Sequence, residues 1–242
     1  MELARVTVPP TLDGASLTMF RRALAAACRG DECRVLVVEG SDSEFCRGLD
    51  FAALSEASSG DVGEATHLFA RCLTELRSAG MPTIAAVGGA TIGGGVGLAA
   101  ACDMVLASER ATFALPELLF GLLPATVLPL LYERMPAQKA RLMALGGRSY
   151  SAEEARALGL ADDVVPTEDL ERAVRRAARL RARARPGTSD AFKRYAIDAA
   201  HLEPDDAIRT GAALTADRLH DASVVAGLRQ FVRDNIPPWL MT

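Results

Sequence analysis

The chain has 242 residues, half of them hydrophobic, with 27 Lys and Arg against 31 Asp and Glu and a net charge of −4. That length and composition describe a globular core of one domain, and the charge excludes bulk attraction to nucleic acid. Every apolar run is interrupted by Gly, Pro or charge before it reaches a membrane span, and five cysteines without paired spacing point to reduced thiols and a cytoplasmic protein.

In chain order, Ala4–Val8 reads as a strand ended by Pro9-Pro10, followed by a helix from Asp13 or Ser16 to about Cys28. Arg34–Glu39 is apolar at four consecutive positions, the pattern of a strand buried on both faces. Phe45–Phe51 has no clear period, and Ser55–Gly63 reads as a polar loop. A helix is expected from about Gly63 to Ala79, stopped by Gly80 and Pro82, then a strand at Thr83–Val87. Gly93-Gly94-Gly95 precedes a run of very small residues that reads as a helix, and Met104–Ala107 and Thr112–Ala114 read as strands. Strand alternating with helix argues an α/β fold with parallel pairing. Beyond Ala125 the chain turns helical, at about 125–134, 137–145, 152–158 and 168–185, with strand-like Asp163–Val165 between and further helices to about Asn235. Ser151 with Glu154 forms a capping box.

Three glycines before a helix leave backbone N–H groups open to negative charge, either a bound anion or an oxyanion formed in reaction. Other chemistry is absent from the sequence. The three histidines, at 67, 201 and 220, lack metal-ligand spacing, and neither G-x-S-x-G nor a Walker lysine is present. A dinucleotide fingerprint fails at Leu98, where the third glycine should stand.

Four ordered motifs resemble the crotonase (enoyl-CoA hydratase/isomerase) superfamily. Phe45-Cys46-Arg47-Gly48-Leu49-Asp50 looks like its F-x-x-G-x-D, and Ala85 through Cys102-Asp103 looks like its A-V-x-G-x-x-x-G-G-G…C-D. Phe113–Gly121 looks like F-x-x-P-E-x-x-x-G, and Ser151–Ala161 looks like S-A-x-E-A-x-x-x-G-L-V. The resemblance implies an α/β fold with a ββα superhelical core over 1–185 and a C-terminal helical region over 186–242 that mediates trimers or hexamers. It implies no cofactor of the enzyme's own: the substrate is an acyl thioester on the phosphopantetheine of coenzyme A or an acyl carrier protein. By position, the amides of Arg47 and Gly94 would form the oxyanion hole, Phe45, Leu49 and Asp50 the thioester-binding loop, and Glu117 the catalytic acid/base.

Hydratases of that superfamily carry a second glutamate where this chain has Gly97. A single carboxylate, its pKa raised by Leu115, Leu118, Leu119 and Phe120, would then move the protons. Asp61, Glu64 and His67 are candidates for a second acid or base, and Arg47, Arg148 and the C-terminal arginines for a partner to a substrate carboxylate. The text from Glu117 to Leu130 is similar to the dehydratases of polyketide β-branching cassettes, which remove water from 3-hydroxy-3-methylglutaryl on an acyl carrier protein. The alternatives are a single-glutamate fatty-acyl hydratase or isomerase and a non-catalytic carrier-binding homologue. The arginines between Arg172 and Arg185 are expected as a surface for an acidic carrier.

Overall fold

The computed structural model describes residues 2–28, 33–56, 58–185 and 187–238. It places nine strands and eleven α-helices among them. The strands are β1 (Glu2–Thr7), β2 (Cys33–Glu39), β3 (Glu44–Cys46), β4 (Thr83–Val87), β5 (Ala90–Ile92), β6 (Met104–Ser108), β7 (Thr112–Ala114), β8 (Ser149–Ser151) and β9 (Asp163–Val165). The first five helices are α1 (Gly14–Ala27), α2 (Phe51–Glu56), α3 (Ser59–Arg77), α4 (Gly94–Ala100) and α5 (Leu128–Arg134). Then come α6 (Ala137–Gly146), α7 (Ala152–Leu158), α8 (Leu170–Arg181), α9 (Thr188–Ala199), α10 (Pro204–His220) and α11 (Ala222–Asp234).

Two sheets organise the chain. A five-stranded parallel sheet runs β1-β2-β4-β6-β9, and a four-stranded one runs β3-β5-β7-β8 with only β8 antiparallel. The first sheet is covered on both faces, which explains the unbroken apolar text of its central strands. Leu36, Val38, Ala85, Val87, Val105 and Ala107 face the main core, while Val35, Val37, Ile84, Ala86 and Leu106 face Val174, Ala177 and Ala178 of α8.

Local chemistry sets several boundaries. Asp13 and Ser16 share one capping box at α1, and Ser151 with Glu154 forms the expected box at α7. The described part of the polar stretch 55–63 is mainly helical, residue 57 lying outside it: α2 runs to Glu56, and Ser58 and Asp61 build a capping box that starts α3 at Ser59. The short strands β3, β5 and β8 are not evident from periodicity, because three residues carry too little alternation to read. Helices α9–α11 form the C-terminal helical region, tied to the core where Lys193 Nζ donates to Asp103 Oδ2 at 2.8 Å. The boundary expected at 185/186 adjoins Pro186, which lies outside the described residues.

Candidate active site

Three parallel strands, β3, β5 and β7, end side by side, and the loops beyond their carboxyl ends make the site. Ligands of α/β sheets gather at this end of parallel strands. Beyond β3 the chain turns at Gly48, at φ +80°, and beyond β5 it turns at Gly93, at φ +55°. Both conformations favour glycine, and the two turns touch: a Cβ on Gly48 would lie 2.8 Å from the Ile92 carbonyl oxygen and 3.0 Å from the Gly94 nitrogen. Beyond β7, Leu115-Pro116 delivers Glu117, whose Oε1 would stand 3.1 Å from a Cβ on Gly93. The Gly93 N–H donates to the Ala114 carbonyl at 2.9 Å, which locks the β5 and β7 ends together.

The backbone hydrogen bonds identify which amides are available. The Arg47 N–H donates to the Pro10 carbonyl at 2.7 Å, so it has no capacity for a substrate oxygen. This corrects the expectation that Arg47 supplies an oxyanion-hole donor. The segment after β1 lies alongside the loop, with the Leu12 N–H donating to the Gly48 carbonyl at 2.8 Å and the Asp50 N–H donating to the Leu12 carbonyl at 3.0 Å. A parallel bridge of this kind turns the Leu49 N–H away from Leu12, and the Gly48 turn before it touches Ile92 and Gly94. Among the described residues, no group accepts from Leu49 N–H or from Gly94 N–H at the start of α4. Leu49 and Gly94 are thus open donors on the two turns that touch. The signal that could have found Leu49 was its place directly after the positive-φ glycine.

Glu117 is the carboxyl group at this site. Its Oε2 is buried and has no hydrogen-bond partner, and burial pushes the carboxyl pKa above its ordinary 4.5, with the residue's own backbone N–H opposing. The expected walls are only partly right. Leu115 is fully buried, but Leu119 is 71% and Phe120 58% exposed, and Leu118 also reaches the surface, because Glu117–Phe120 is a single 3-10 turn. Of the expected thioester loop, Phe45 is a core residue. Asp50 accepts from the Thr11 hydroxyl at 3.2 Å and from the Ala53 N–H at 3.0 Å, so its carboxylate shapes the loop.

Among the described residues, no hydrogen bond or ion pair joins Asp61, Glu64 or His67 to Glu117. Asp61 caps α3 through Ser58, and Glu64 and His67 are exposed, His67 about 160° around the helix from the buried Phe69. The Arg47 guanidinium is exposed at the loop, 3.5 Å from Glu44, and Arg148 pairs with Glu154 at 2.9 Å while stacking on Tyr150. The arginine helix α8 packs on the outer face of the five-stranded sheet, where Arg172 pairs with Asp169 and Arg175 with Glu171. No group of three or more His, Cys, Asp or Glu among the described residues is placed to hold a metal ion. Nor is any described helix long and apolar enough to cross a membrane.

This arrangement offers two main-chain donors to a developing oxyanion and one carboxyl group of raised pKa for proton transfer. Comparison with known proteins gives the family. The family pattern described as enoyl-CoA hydratase/isomerase matches residues 1–241. Carnitinyl-CoA dehydratase of Proteus mirabilis is 32% identical over 212 residues, 85% of this chain and 81% of that protein. The bacillaene synthase dehydratase PksH of Bacillus subtilis is 36% identical over 138 residues, which cover 56% of this chain and 53% of that one. Among solved structures, human enoyl-CoA hydratase domain-containing protein 3 superposes with a TM-score of 0.91 at 24% identity, covering 97% of this chain and 95% of its own, a likeness of fold. Pseudomonas aeruginosa DspI superposes at 0.90 with 28% identity, covering 98% of this chain and 93% of its own. The chain belongs to the enoyl-CoA hydratase/isomerase family of the crotonase superfamily and is an enzyme of the hydro-lyase type.

Proposed function

We propose that this enzyme dehydrates a 3-hydroxyacyl thioester, and that its substrate is 3-hydroxy-3-methylglutaryl on an acyl carrier protein, released as the 3-methylglutaconyl thioester. The observation that carries the chemistry is the Glu117 carboxyl group, its Oε1 beside Gly93 and its Oε2 buried without a partner, with glycine at position 97. In the reaction the thioester oxygen accepts from the Leu49 and Gly94 N–H groups. The Glu117 carboxylate removes the α-proton, and the electron pair moves onto the carbonyl as an enolate held by the two amides. The enolate then expels the 3-hydroxyl as the protonated Glu117 gives that oxygen its proton, so water leaves and the carboxylate is restored.

The choice of substrate is supported by the bacillaene synthase dehydratase among the relatives and by the likeness of residues 117–130 to polyketide dehydratases. The proposed enzyme needs no cofactor of its own, since phosphopantetheine carries the acyl group. We further propose assembly as a trimer, or a hexamer of two trimers, through the C-terminal helices, whose Phe192, Ile208, Phe231 and Val232 are exposed. The test presents purified enzyme with hydroxymethylglutaryl on a carrier protein and on coenzyme A, beside 3-hydroxybutyryl-CoA, and follows loss of one water by intact mass. Preferred turnover of the carrier-bound substrate is expected. Turnover of 3-hydroxybutyryl-CoA alone would instead favour a fatty-acyl enzyme.

A further inference from the structure

Gly94 and Gly97 lie three residues apart on α4, and Gly93 is the residue that caps it. Each presents bare backbone to a different group. Glu117 stands over Gly93, while Leu12 and Phe69 stand over Gly94. A Cβ on Gly97 would lie 2.8 Å from Val127 Cγ2 and 3.5 Å from both Leu73 Cδ2 and Phe69 Cζ. Val127 therefore meets α4 at Gly97, three residues or about 4.5 Å along the axis from Gly94.

The wall it forms is apolar and stiff. Val127 is 2% exposed, and Leu73 and Phe69 are buried with it. Val127 is held at the start of α5 by its N–H donating to the Pro124 carbonyl at 3.2 Å and its carbonyl accepting from Leu130 and Leu131. A β-branched side chain on that backbone has few rotamers by which to move aside.

Resting on the single-carboxylate reading above, we infer that Val127 is the specificity-determining residue that confines proton transfer to Glu117. Its side chain occupies the volume that a second carboxylate at position 97, or a water bound there, would need. The α-proton and the proton given to the departing hydroxyl then both travel through Glu117, on one face of the substrate. Gly97 is the partner of this arrangement, because any side chain there meets Val127 first.

The test uses Gly97→Glu, Val127→Ala and the double variant, each made with Glu117 intact and with Glu117→Gln. Thermal midpoints are measured, together with exchange of the α-protons of butyryl-CoA in deuterated water by NMR. Gly97→Glu alone should lower the midpoint well below that of Val127→Ala, and the double variant should return to the Val127→Ala value. With Glu117→Gln, the double variant should regain α-proton exchange by about tenfold or more, on the scale of a restored general base. Equal destabilisation by Gly97→Glu with and without Val127 would overturn the inference. So would a folded double variant whose exchange stays at the Glu117→Gln level. Failure of the substrate proposal looks different: the native enzyme would leave carrier-bound hydroxymethylglutaryl intact while these couplings held.

Discussion

Gly48→Ala tests the two-donor geometry most directly. The new methyl would lie 2.8 Å from the Ile92 carbonyl oxygen and 3.0 Å from the Gly94 nitrogen, closer than a carbon tolerates, and at φ +80°. A left-handed backbone with a side chain costs about 1–2 kcal/mol, which for a chain of this size lowers Tm by roughly 2–8 °C. The catalytic effect should be larger, because the methyl intrudes on one donor and displaces the loop that presents the other. Losing one oxyanion donor costs about 3–4 kcal/mol of transition-state stabilisation, so kcat falls by about 10²–10³-fold. Dehydration of the proposed carrier-bound substrate should be followed by stopped-flow mass analysis beside a thermal melt. A variant whose kcat stays within tenfold of the native enzyme, though Tm falls as expected, would refute the assignment of Leu49 and Gly94 as a working pair.

Three other substitutions have definite expected outcomes. Glu117→Gln should lower kcat by about 10⁴-fold, because one group performs both proton transfers. Its carboxyl has a raised folded pKa, so the folded state binds its proton more tightly than the unfolded chain. The native enzyme should thus lose stability relative to Glu117→Gln as pH rises above about 4.5, read by urea unfolding, and kcat/KM should rise over the window where the carboxyl ionises. Asp103→Ala leaves the Thr83 N–H and hydroxyl and the Lys193 ammonium, all within 2.9 Å of Asp103 Oδ2, without their acceptor. Chemical denaturation should show a loss of about 2–3 kcal/mol, and limited proteolysis should cut near α9. Val232, 84% exposed on α11, replaced by Asp should shift the enzyme to monomers in sedimentation velocity if the C-terminal helices associate.

Much of the fold could be read from local text. β4, β7, β9 and α7 lie where propensity, glycine stops and the Ser151 cap put them, since their signals sit within a few residues. The Gly93–Gly95 turn and the special backbone at Gly48 were equally evident, as was Glu117 after its proline. What could not be read was pairing across long separations. β3 and β5 are strands because they pair with each other, and α3 starts at Ser59 because Ser58 and Asp61 cap it where composition suggested a loop.

The sequence by itself determined the buried strands, the glycine turns and the single carboxyl group, since each follows from side-chain size, backbone freedom or charge at one place in the chain. Only the tertiary structure decided which amide is open. Pro10, thirty-seven residues before Arg47, takes the Arg47 N–H, and the bridge to Leu12 leaves the Leu49 N–H facing away from Leu12. It also decided what fills the space beside Gly97, where Val127 arrives from thirty residues away. A hydrogen bond or a van der Waals contact belongs to two positions at once, and the fold alone sets which two meet.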